Sequence, residues 1–190
     1  MSLQPAKIIF ILTFLAALGC GMVAGIFFAF SNFVMKALAR LPPDQGIAAM
    51  QSINVDVINR WFFAVFFGTA LCCLVLAVSS LFRWHKPDAV YLISGGLLYV
   101  VGTILVTIVC NVPLNEALAA VDPTTANANG VWANYLKNWT LWNHVRTIAA
   151  LAAAASFSVA LCQASSMSRI AKFEASSATT SSTLPDKPEN

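Results

Sequence analysis

Charge is what this chain has least of. Asp, Glu, Lys and Arg make up 10% of its 190 residues, against roughly 25% in an average soluble domain. The eleven basic and eight acidic residues stand singly, so the net charge of +3 builds no basic stripe. Recognition of nucleic acid, which needs such a stripe to track phosphates, is excluded. Histidine occurs only as His85 and His144, with no HxxxH pair and no Cys/His zinc spacing. The five cysteines include no CxxC pair and sit in or beside apolar runs, where a free thiol behaves as a small hydrophobe. Walker, GxGxxG and GxSxG loops are missing as well, so the sequence implies no bound cofactor.

What is present in quantity is apolar side chain, 58% of the residues. Three runs, 8–30, 61–82 and 89–110, carry no charge, and each exceeds the ~20 residues needed to cross a hydrocarbon core. Lipid offers a backbone no water to bond, so each run must be a helix. The first is also longer than the roughly 7–15 residues of a secretion-signal core. The fourth run, 147–162, is shorter. At about 1.5 Å per residue it reaches about 24 Å of a ~30 Å core. A span over 142–163 therefore has to bring Trp142, Asn143, His144, Val145 and Arg146 to the membrane interface; a locally thinned bilayer is the alternative.

The expected fold is all-α. Residues 1–164 form a four-transmembrane-helix up-and-down bundle with two long connections on one face. A Ser/Thr-rich tail over 165–190 is expected to be disordered. Along the first span, Ala17, Gly21, Gly25 and Ala29 form a ridge of small residues expected to pack inside the bundle, with a homodimer face as the alternative. Both termini fall on one side. That side holds Lys7, Arg83, Lys86, Arg169, Lys172 and Lys187, against Lys36, Arg40, Arg60, Lys137 and Arg146 opposite, which favours cytoplasmic termini. In the first connection Asp44 is placed to cap an interfacial helix whose Ile47, Met50, Val57 and Ile58 share a side. In the second, a helical turn over 116–121 is broken by Asp122-Pro123. Asp56 and Arg60 stand four apart, as an ion pair would.

Polar residues collect where four helix ends and both long connections meet. Ser31 and Asn32 follow the first span, and Asn54, Asp56, Asn59 and Arg60 precede the second. Asn111 and Asn115 flank Pro113 after the third, while Trp139, Asn143, His144, Arg146 and Thr147 open the fourth. Trp139, Asn143 and Arg146 share a helical stripe, and His144 points about 100° away from Asn143. Purely structural uses compete with a site. Arg146 would snorkel to head groups beside Trp139 and Trp142. Asn111 and Asn115 would satisfy the carbonyl that Pro113 frees at Val109.

The run Asn111-Val112-Pro113-Leu114-Asn115, followed by Trp139-Thr140-Leu141-Trp142-Asn143-His144-Val145-Arg146-Thr147, resembles the anthrone-oxygenase-like family of small four-helix membrane proteins. The stretches Phe27-Phe28-Ala29-Phe30-Ser31 and Met50-Gln51-Ser52-Ile53-Asn54 are similar too. The resemblance implies a cofactor-independent membrane oxygenase acting on a hydrophobic phenolic or polycyclic substrate. The alternative is a non-catalytic protein that binds a lipid, a quinone or a partner helix. On the first reading His144 is the candidate base, since imidazole titrates near pH ~6.5. Arg146, Asn143 and Asn115 would stabilise negative charge on oxygen, helped by free N–H groups at the start of the fourth helix. Asn54, Asn59 and Asn111 complete the polar lining, and Phe30, Trp61 and Trp139 flank a flat ring.

Overall fold

The computed structural model describes residues 5–125 and 127–182, with side chains as far as 166. Among the described residues every regular element is helical. Four helices are long and apolar enough to cross a membrane: Pro5–Leu38, Arg60–Leu81, Ala89–Ala119 and Ala128–Ser166. Their outward faces are apolar, with Phe14, Leu18, Met22, Leu71, Leu74, Leu97, Ile148 and Leu151 all exposed. A surface of that kind is at home against lipid tails, and the chain is an integral membrane protein.

In finer detail, α1 (Pro5–Ala29) passes through a π-helical turn (Phe30–Val34) into the short α2 (Met35–Leu38). Helix α3 (Pro43–Asp56) is followed by α4 (Arg60–Leu81). Helix α5 (Ala89–Tyr99) runs through two π-helical stretches, Val100–Leu105 and Thr107–Asn111, into α6 (Val112–Ala119). Helix α7 is Ala128–Ser182. Each spanning helix packs on its sequence neighbours, and α1 closes the ring against α7. This is the expected up-and-down bundle.

Two separate cores hold it together. The bundle core joins Ala16, Cys20, Val23, Ala24 and Phe27 to Phe66, Cys73, Leu76, Tyr99, Ala153 and Phe157. Polar links reinforce it. The Tyr99 hydroxyl donates to the Phe66 carbonyl at 3.1 Å, and Ser156 Oγ lies 2.8 Å from Ser94 Oγ. The second core lies beyond the bundle, where α2, α3 and α6 wrap the first turns of α7: Met35, Leu38, Ile47, Met50, Leu118, Trp132, Tyr135 and Trp139. The two long connections are therefore a packed helical cap, braced by the stacked rings of Trp132, Tyr135 and Trp139.

Several expectations need correction. Helix α7 begins at Ala128, not near residue 142, because the cap buries its leading turns. Residues 139–147 therefore lie about three turns inside a continuous helix, and their N–H groups are spent on the helix itself. The helix also continues to Ser182, so the tail read as disordered from 165 is helical to that point; 183–190 lie outside the described residues. Asp44 does not cap α3. Pro42 precedes the helix with Pro43 in its first turn, and no side chain caps it. Ile58 stays exposed rather than joining the buried side of α3. Asp56 and Arg60 form no ion pair, since Asn59 ends α3 and caps α4 between them, accepting from the N–H groups of Trp61 and Phe62. The break at Asp122-Pro123 is as expected, and no helix resumes until α7. Asp122 Oδ1 accepts there from Thr124 N and Oγ1, which holds its carboxyl below the usual range.

The small-residue ridge is the clearest reversal. A Cβ on Gly21 or Gly25 would meet nothing within 4 Å, so that ridge faces outward. The close approach lies elsewhere. A Cβ on Gly96 would stand 2.8 Å from the Cys73 carbonyl oxygen on α4. Gly96→Leu should therefore destabilise the bundle by about 1–3 kcal/mol, the usual range for overpacking. Gly21→Leu should stay within about 0.5 kcal/mol of the parent. Thermal unfolding in detergent micelles measures both; equal losses would show that the inner and outer faces of the bundle are assigned wrongly.

Candidate functional site

A cavity of about 510 Å³ lies where the two cores meet. The first span gives it Phe27 and Phe30, and α3 gives Met50, Gln51 and Asn54. Helix α4 gives Phe62, Phe66 and Phe67, the third span gives Thr107, Asn115 and Glu116, and α7 gives Trp139 and Arg146. The lining is overwhelmingly apolar, with a few polar groups in fixed places, the usual constitution of a small-molecule site.

Arg146 dominates its electrostatics. The side chain is 4% exposed, yet among the described residues no carboxylate stands within ion-pair distance. Its guanidinium carbon lies 4.2 Å from the centre of the Phe27 ring and 5.2 Å from that of Trp139. Two aromatic faces thus take the place of a counter-ion. Nη2 donates to Asn143 Oδ1 at 2.7 Å and Nη1 to Thr107 Oγ1 at 3.2 Å, while Nε has no partner. Asn143 is fully buried behind it. Its amide nitrogen donates to the Phe27 carbonyl at 2.7 Å and to Ser31 Oγ at 2.8 Å. The π-helical turn at Phe30–Val34 shifts the register of α1 and accommodates Ser31 in this position. The π-helical stretch Thr107–Asn111 carries Thr107 and Asn111, which both bond to α7.

A second polar cluster borders the first. Asn115 Oδ1 accepts from Trp139 Nε1 and from the Tyr135 hydroxyl, both at 2.8 Å. The Tyr135 oxygen in turn accepts from Asn54 Nδ2 at 3.4 Å. Gln51 ties the roof shut, its amide nitrogen donating to the carbonyls of Leu118 and Val121 at 2.9 Å each. The outer wall is different. Phe63, Phe67, Ile108 and Val112 line the cavity and are also exposed on the apolar flank of the bundle. Helix α4 packs on α5 but only thinly on Val100–Leu105, and the two spans part toward this end. The cavity thus opens sideways, on the apolar flank of the bundle.

Of the residues singled out from the sequence, Arg146, Asn54, Asn115, Trp139 and Phe30 line this cavity, and Asn143 supports it from behind. Four are elsewhere. His144 is exposed on the outer face of α7, on a stripe with Leu141, Val145 and Ile148, and stands outside this cavity. Asn59 is spent capping α4. Trp61 is 71% exposed and stacks with Arg60. Asn111 is buried and donates to the Trp139 carbonyl at 3.2 Å, a brace between helices rather than a ligand contact or a partner for Val109. Glu116, Thr107, Tyr135 and Gln51 were not anticipated. A Tyr one turn before Trp139 and a carboxylate next to Asn115 were the available signals.

The sequence profile of the anthrone oxygenase family matches residues 59–156, more than half of the chain, and the chain belongs to that family. No curated protein and no solved structure matches it.

Asn143→Leu would strand the Arg146 guanidinium and the Phe27 carbonyl at once. A loss of about 2–3 kcal/mol is expected, the scale of a lost hydrogen bond to a buried charged group. His144→Ala should change stability by less than about 0.5 kcal/mol. Thermal unfolding of the two purified variants checks the contrast, and comparable destabilisation by both would contradict the placement of His144 on the outer face.

Proposed function

We propose that the cavity binds a flat, hydrophobic phenolic or polycyclic molecule through an anionic oxygen and oxidises it with dioxygen, as the family name describes for anthrones. The observation that carries this reading is Arg146: a buried cation without a carboxylate, held between two aromatic faces and opening on an apolar cavity. A charge in a membrane span costs a few kcal/mol even on the most lenient scales. A substrate oxyanion would complete it.

The chemistry follows from the charge. The ring methylene of an anthrone, beside an aryl ketone, loses a proton and leaves a phenolate-like anion with its negative charge on oxygen. Arg146 stabilises that anion where water is excluded, so the proton leaves more readily. Among the described residues Glu116, exposed on α6, is the one carboxylate in the lining, and in this scheme it takes the proton. The electron-rich carbon then passes electrons to dioxygen and bonds to one of its atoms, and the returning proton gives a hydroperoxide. Loss of water from it leaves a second carbonyl. One methylene and one dioxygen become one ketone and one water, so the carbon loses the four electrons that the two oxygen atoms gain. In this scheme the protein supplies the base, the cation and a dry pocket.

The test is oxygen uptake by the purified protein with a panel of anthrones and hydroquinones. Uptake should match ketone formation one to one. Arg146→Gln should lower kcat/KM by about 10²–10³-fold, the scale of a lost oxyanion donor. Glu116→Gln should cost about 10²-fold through the proton transfer, while His144→Ala should turn over like the parent. Tight binding with no uptake above the spontaneous rate would favour a non-catalytic binding protein instead.

A further inference from the structure

The indole of Trp139 sets the direction of every hydrogen bond in the cluster around Asn115. An indole N–H only donates, so the Asn115 atom it meets at 2.8 Å must be the carbonyl oxygen. The Tyr135 hydroxyl reaches that same oxygen at 2.8 Å and must donate as well. With its proton spent, the Tyr135 oxygen accepts, and its partner on α3 must be the amide nitrogen of Asn54. Both amides are thereby oriented without reference to any ligand. Two groups are left over. Asn115 Nδ2 and Asn54 Oδ1 have no hydrogen-bond partner among the described residues, and both side chains line the cavity.

We propose that Trp139 is a positioning residue that fixes this polarity, and that Asn115 and Asn54 are the specificity-determining pair, one presenting a donor to a ligand carbonyl or oxyanion and the other an acceptor to a ligand hydroxyl. Asn115 and Arg146 flank the same indole, so their donors serve one oxygen-rich edge of the ligand. The inference rests on the reading of this cavity as the substrate site. It adds which way round an oxygenated ring is held, and that a ligand with its donor blocked is disfavoured. Without Trp139 the Asn115 amide is free to turn over, and the selection disappears although the cavity remains.

The test uses the full chain in nanodiscs and three redox-stable probes: 2-hydroxyanthraquinone at a pH that keeps its hydroxyl protonated, its methyl ether, and anthracene. The parent should bind the hydroxyl compound about fivefold tighter than the ether, the scale of one net hydrogen bond. Trp139→Phe, which keeps a ring over Arg146, should bring that ratio close to one while anthracene binding stays within about twofold. Asn54→Leu, on the half-buried face of α3, should do the same and covers the case in which the Trp139 variant fails to fold. A ratio kept in either folded variant would overturn the proposal. Arg146→Gln separates the underlying reading: it should weaken both quinones and spare anthracene. If it spares all three while the ratio still depends on Trp139, the anion site is wrong and the polarity stands. If no probe binds the parent, both fall.

Discussion

A guanidinium held out of water inside an apolar helix is the constraint around which the rest of this protein is arranged. Desolvating that charge is costly, and the usual remedy, a buried carboxylate, is absent among the described residues. The chain answers with partial measures. Two aromatic faces, one amide oxygen and one hydroxyl surround the cation. They come from three places: Phe27 from the first span, Thr107 from the third, and Trp139 and Asn143 from one face of α7. Holding them together requires α1, α7 and the third span to keep a fixed register. The Asn143 bonds to Phe27 and Ser31, and the Asn111 bond to Trp139, provide that register. A fully neutralised arginine would have no remaining demand. This one retains an unpartnered Nε and an apolar cavity in front of it.

The bundle was legible from hydropathy because lipid imposes the strictest rule a backbone meets: a long uncharged run has no alternative to a helix. What hydropathy does not encode is where such a helix ends once protein rather than lipid covers it. Helix α7 runs on before residue 142 because Trp132, Tyr135 and Trp139 are buried by α2, α3 and α6. That burial is tertiary; Ala128, Trp132, Tyr135 and Trp139 do stand at the three-to-four spacing of one helical face, but spacing alone does not say that protein rather than lipid covers it. The ridge of Gly21 and Gly25 misled for a related reason. Small residues permit a close approach but do not create one, and α1 turns Ala16, Cys20 and Ala24 inward instead. The π-helical stretches carry no composition signal that sets them apart from α-helix.

Helical spacing decided most of the site. Asn143 and Arg146, three apart, share a face and meet; His144, one step on from Asn143, faces outward. A titratable imidazole was an attractive base on chemical grounds, but direction outranks chemistry when the helix is rigid. The roles of Asn111 and Asn115 illustrate the opposite difficulty. Both are polar, four apart and beside Pro113, yet one braces α7 through a backbone carbonyl and the other faces the cavity. Four apart on a helix they share a face, and both meet Trp139, one at its carbonyl and the other at its indole, so spacing alone could not separate their roles.

The sideways opening changes what has to provide affinity. In a water-filled cleft, apolar walls draw a flat hydrocarbon out of solvent. A ligand of the proposed kind, entering through that opening, would come from lipid tails about as apolar as Phe62, Phe66 and Phe67, so its transfer would gain little hydrophobic free energy. The apolar lining therefore sets shape and excludes water but discriminates weakly between a substrate and the surrounding acyl chains. Discrimination would fall to interactions that lipid tails cannot offer: a cation with no carboxylate paired to it, an amide donor and an amide acceptor at fixed positions. Those are the groups that Arg146, Asn115 and Asn54 contribute to the lining. A site of the proposed kind, loaded from the membrane, needs its polar groups oriented before the ligand comes. The hydrogen bonds that the Trp139 indole directs meet that need.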